Sequence, residues 1–134
     1  MQISNEVLAE VRQLVAECLA IELEDVRAES WFFSELNGES IDLIELKFRL
    51  EKRFGFQLPL LELKSDEYTL DAEARLTSAS AALLRGKFPS LKLAGLETHK
   101  LERRGDFLTI EMIAAFVQTA LDAEKQQAAP LDAV

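Results

Sequence analysis

The stretch from Ser40 to Gly55 constrains this chain most. Leu43, Leu46, Leu50 and Phe54 recur at three- and four-residue intervals, which lays one apolar stripe along a helix. Gly55 supplies the residue that helices favour just past their end, where the backbone turns left-handed. At the other end, Ser40 stands in Gly38-Glu39-Ser40-Ile41-Asp42, and the helix is expected to begin there. A serine at that place reads first as an N-cap, its hydroxyl accepting a hydrogen bond from a first-turn N–H. The same place suits a phosphate, because unpaired N–H groups and the positive end of the helix dipole converge on it. Ser40 is therefore either a plain cap or the anchor of a phosphate-linked group.

Ile41, Ile44 and Phe48 fall on a second face of that helix, flanked by Glu45 and Lys52. A helix apolar on two faces either packs on both sides or presents one to a partner. Both readings stand at this point.

Two other helices carry the same periodicity. The first is expected over Asn5–Ala20, capped by Ser4 or Asn5, with Val7, Val11, Leu14 and Cys18 in line. Cys18 on that stripe reads as a small buried hydrophobe, since no basic cluster near it in sequence would activate a thiol. The last begins at Thr109 and is expected to end near Glu124, with Ile113, Phe116, Val117 and Leu121 on its buried side and a frayed tail over 126–134. The connection from Ile21 to Glu39 contains Trp31, Phe32, Phe33 and Leu36, which is too apolar for a free linker. These side chains are expected to fold back over the helices.

Residues 61–108 are charge-balanced between two acidic flanks. They are rich in leucine, so they are expected to pack rather than stay solvated. Thr77 or Ser78 can cap a short helix over Ala79–Phe88, which Pro89 follows; Glu97–Arg104 can form a further turn or two, closed by Gly105. No useful strand alternation and no internal repeat are present. The fold class expected is all-α, as a single 134-residue unit.

A net charge of −9 argues against nucleic acid and anionic membranes and for basic protein partners. No apolar run approaches spanning length, so no membrane insertion is expected. No secretory signal is visible, and one cysteine fits a reducing compartment. A cytoplasmic monomer is expected.

With these pieces assembled, the chain resembles an acyl carrier protein, over about residues 4–59 and 108–122. Leu36 four residues ahead of Ser40, Glu45-Leu46 within the helix, Phe54-Gly55-Phe56-Gln57-Leu58-Pro59 at its end and Leu108-Thr109-Ile110-Glu111-Met112-Ile113 at the last helix carry the likeness. The resemblance implies a four-helix bundle, here with residues 61–108 as a helical insertion. It implies that Ser40 carries covalent 4′-phosphopantetheine as a phosphodiester, which makes the chain a phosphoprotein. The arm's thiol would hold an acyl group as a thioester. It further implies that Glu39, Ile41, Asp42, Ile44, Glu45 and Phe48 form the docking face. The partners would be a phosphopantetheinyl transferase and an acyl ligase or acyl-transferring enzymes. The process would be specialised fatty acid biosynthesis, lipid metabolism or secondary metabolism, and the chain would be a carrier with no catalytic residue. The sequence departs from the family pattern in Glu39 for aspartate, Ile41 for leucine, a glycine displaced to Gly38, and a basic second half of the helix (Lys47, Arg49, Lys52, Arg53).

Other readings compete. A free-standing peptidyl or aminoacyl carrier shares the serine-helix arrangement, although the acidity favours acyl cargo. A helical adaptor would use Ser40 only as a cap. A serine hydrolase would need the motif G-x-S-x-G, but position 42 is aspartate, and the one histidine, His99, has no metal-ligand spacing around it.

Overall fold

The computed structural model describes residues 3–55, 57, 69–89, 91, 93, 96, 98 and 108–132, with side chains of the last helix described to Glu124. The architecture is all-α. Among the described residues four α-helices follow one another: α1 (Asn5–Leu19), α2 (Ser40–Phe54), α3 (Ser78–Lys87) and α4 (Ile110–Asp132). A single 3-10 turn at Leu23–Asp25 interrupts the first connection. Among the described residues strand-type pairing is limited to two isolated bridges, Trp31 with Thr109 and Leu70 with Leu76. Apart from Thr98, the expected turn over Glu97–Arg104 with Gly105 lies outside the described residues, as do His99, Phe56, Leu58 and Pro59.

Each helix end has a local cause. Ser4 caps α1, its hydroxyl accepting from Val7 N at 3.1 Å. Ala20 closes that helix in the left-handed region at φ 55. Gly55 closes α2 at φ 85, where its N–H donates to Glu51 O at 2.8 Å. Thr77 caps α3 by accepting from Ser80 N, so α3 starts at Ser78 as the Thr77 alternative required. Thr109 Oγ1 accepts from Met112 N at 3.3 Å at the start of α4.

One boundary differs from expectation. α4 does not stop near Glu124 but keeps helical geometry through Asp132, across the tail expected to fray. Gln126, Gln127, Ala128 and Ala129 are strong helix formers, and no glycine or proline interrupts them before Pro130.

The core joins all four helices. α1 packs on both α2 and α4. Val11 and Val15 of α1, Leu46 and Leu50 of α2, and Ile113 and Val117 of α4 are fully buried in it. Each such side chain contributes about 1.5–3 kcal/mol through removal from water. Leu84 of α3 and Phe88, the residue that caps its C-terminus, belong to the same cluster, together with Leu93 and Leu96 beyond it. The Phe88 ring meets Phe116 of α4 edge-on, with centroids 5.6 Å apart. Leu83, by contrast, faces solvent.

The first connection is pinned to α4. Phe32 N donates to Leu108 O at 2.9 Å, Ile110 N to Ser30 O at 3.1 Å, and Glu111 N to Ala28 O at 2.8 Å. The last two satisfy first-turn N–H groups that a helix cannot pair internally. Phe32 and Leu36 are buried and Trp31 and Phe33 half-buried, so the aromatic run folds back as the sequence implied.

Candidate functional site at the start of the second helix

The approach to Ser40 is built over Phe32. Leu36 N donates to Trp31 O and Gly38 N to Phe32 O, which curls residues 31–38 into a compact turn. Asn37 takes the left-handed conformation at φ 60, which asparagine tolerates better than most side chains. Gly38 serves a different purpose. A Cβ at position 38 would lie 2.4 Å from the Phe32 ring, so only glycine fits there. The displaced glycine of the sequence therefore has a steric reason, and asparagine supplies the turn.

Ser40 is not the N-cap. That position belongs to Glu39, whose backbone is extended and whose carbonyl accepts the first helical bond from Leu43 N at 3.1 Å. Asp42 reaches back one turn, its Oδ2 accepting from Glu39 N at 2.8 Å. This corrects the reading of Ser40 as a cap: Glu39 holds the cap position, and the acid three residues on reaches back to its N–H, as the second partner of a capping box does. Ser40 occupies the first helical position instead. It is exposed, and among the described residues its hydroxyl has no hydrogen-bond partner.

The face that follows is solvent-exposed. Ile41 is 69% exposed, Phe48 61% and Ile44 40%, while Leu43, Leu46 and Leu50 on the opposite side are buried. The reading in which α2 packs on both sides is thereby overturned for Ile41, Ile44 and Phe48: α1 packs against the opposite side of α2 and leaves these three residues exposed. These three side chains, with Glu45, Arg49 and Lys52, line a shallow open groove.

Glu45, an expected contact group, is engaged within the fold. Glu45 accepts from Arg49 Nη2 at 3.1 Å, and this hydrogen bond, with a smaller one from Cys18, holds its carboxyl below the usual range. Cys18 also differs from expectation. It is half-buried, and its thiol lies 3.3 Å from Asp42 O and 3.5 Å from Glu45 Oε2, bridging α1 to the first turns of α2. Burial, then the bond to Glu45, pushes its pKa up to about 11. It is a donor locking two helices rather than an inert hydrophobe. Cys18, Asp42 and Glu45 thus converge, a cross-helix meeting that spacing along one helix could not reveal. Arg53 adds a second tie between these helices, gripping Glu10 through Nε at 2.9 Å and Nη2 at 2.8 Å.

Comparison with known proteins agrees with this geometry. Residues 9–71 match the family model described as a phosphopantetheine attachment site. An acyl carrier protein of Thermosynechococcus vestitus is 38% identical over 55 residues, 41% of this chain and 68% of the relative. One from Campylobacter hominis is 37% identical over 54 residues, 40% of this chain and 68% of the relative. One from Helicobacter hepaticus is 37% identical over 49 residues, 37% of this chain and 64% of the relative. The family model ends before α3 begins. The chain therefore belongs to the acyl carrier protein family, with covalently bound 4′-phosphopantetheine as its cofactor.

Proposed function

We propose that Ser40 is the attachment point of 4′-phosphopantetheine and that the exposed face of α2 receives the enzymes that load and unload it. The observation that carries this reading is the division of labour at the helix start. Glu39 and Asp42 do the capping, which leaves the Ser40 hydroxyl exposed and without a partner among the described residues. A phosphodiester on that oxygen lies at the N-terminus of a 15-residue helix, where the dipole favours negative charge. The residues present thus fit the group. When bound, it supplies a thiol that holds an acyl chain as a thioester.

The chain's own part is to address and shelter this cargo, as a carrier and not an enzyme. Ile41, Ile44 and Phe48 give a partner an apolar footing beside Ser40, with Glu39, Asp42 and Glu45 around it. The partners are a phosphopantetheinyl transferase and an acyl ligase or acyl-transferring enzyme. Docking through a small exposed patch suits a shuttle that must leave after each step. An acyl chain gains about 0.8 kcal/mol for each CH₂ it buries among the helices. Residues 61–108 act as a helical addition to the carrier; burial of Leu84, Leu93 and Leu96 in the common core supports that. The setting is a cytoplasmic monomer in a specialised fatty acid, lipid or secondary-metabolite pathway; among the described residues no helix is long and apolar enough to cross a membrane.

Intact mass spectrometry after co-expression with a phosphopantetheinyl transferase tests the assignment. The natural chain gains the phosphopantetheine increment and Ser40→Ala does not. An increment on the alanine variant would place the group elsewhere.

A further inference from the structure

The charges along the groove of α2 are not those of the whole chain. Glu45 and Arg49 neutralise each other across 3.1 Å, and Arg49 also reaches Glu17 at 4.0 Å. Lys47 is paired with Glu51 at 2.8 Å, and Arg53 with Glu10 at 2.8 Å. Lys52 differs from these neighbours: it is exposed, lines the groove, and makes no ion pair among the described residues. At the Ser40 end stand Glu39 and Asp42, and the Asp42 carboxylate is turned inward to the Glu39 N–H. The groove therefore runs from an acidic end beside Ser40, over Ile41, Ile44 and Phe48, to an unpaired cation. This happens on a protein of net charge −9, whose long-range field favours basic partners.

We propose that Lys52 selects the acyl-loading partner, and that this partner is a protein whose apolar docking patch is edged by a carboxylate on the side that meets Lys52. The inference rests on the docking face proposed above and adds the chemistry of what covers it. Charge complementarity is the argument. A groove already neutral at Glu45–Arg49 offers a partner one uncompensated charge, and a facing carboxylate compensates it beside an apolar surface that lowers the local dielectric. A basic edge at the same place would set like charges together, which rejects partners that depend on acidic carriers along their whole length. Specificity then comes from one end of α2, while the Ser40 end stays acidic.

The test uses full-length holo-protein bearing phosphopantetheine, incubated with extract of its native cell. The initial rate at which the acyl mass increment appears is the readout. Lys52→Glu is expected to slow acylation about fivefold or more while its melting curve stays that of the natural chain. Raising salt from about 0.05 to about 0.3 M is expected to slow the natural chain more than the variant, because the attraction at that edge is screened. Equal rates for the two proteins would overturn the proposal, and faster acylation of Lys52→Glu would show a basic edge in place of the acidic one. Failure of the underlying reading looks different: the natural chain would then take up no phosphopantetheine at Ser40, before any acyl group is offered.

Discussion

Single residues around Ser40 divide the tasks more finely than their types suggest. Gly38 is there for space, since a methyl group would press into Phe32. Gly38→Ala is expected to lose about 1–3 kcal/mol, from forced repacking of a buried ring, measured by urea unfolding. Ser40→Ala is expected to change stability by less than about 0.5 kcal/mol, because Ser40 does no capping and alanine suits a helical position. Cys18 gives a pH dependence. Its pKa is raised from 9.0 in an unfolded chain to about 11, so both states keep the proton below pH 9. Stability from this group is full there and is lost as pH rises from 9 through 11, where the unfolded chain ionises first. Alkylation of Cys18 by iodoacetamide in the folded protein at pH 8 is expected to be several-fold slower than in urea-unfolded chain, because the thiolate is the reactive form. Equal rates would mean that the thiol is not held by α2.

At the scale of elements, α2 works through its two sides. The buried side, with Leu46 and Leu50, ties it to the bundle, and the open side leaves Ile41, Ile44 and Phe48 in water. Ile44→Arg tests which side matters for what. It is expected to shift stability by less than about 0.5 kcal/mol and to slow loading of the holo-protein sharply. A large fall in melting temperature would instead make Ile44 part of the packing. The element boundaries here were largely legible in advance, because Gly55, Thr77, Thr109 and Ser4 are strong local signals. Ser40 misled because the serine preference at N-caps is only a tendency, and here the helix starts one residue earlier, with Glu39 at the cap position and its N–H held by Asp42.

For the whole molecule, the question is whether the segment before α4 is part of the fold. Leu84 is fully buried, and Phe88 packs on Phe116. Leu84→Ala is expected to cost about 2–5 kcal/mol. Amide exchange across α3 is expected to be slow in the natural chain and faster in that variant; exchange at unprotected rates in the natural chain would detach α3 from the core. The sequence by itself determined the helical class, the apolar stripe of each helix and Ser40 at the opening of α2, because these depend on spacing and short-range chemistry along the chain. Tertiary structure alone decided which face of α2 stays open, since that depends on α1 packing against the opposite side. It also decided that Cys18 bonds to Asp42 and Glu45, and that Gly38 must yield to Phe32. Those contacts join residues whose side chains meet only after the chain has folded, and no periodicity along one element encodes them.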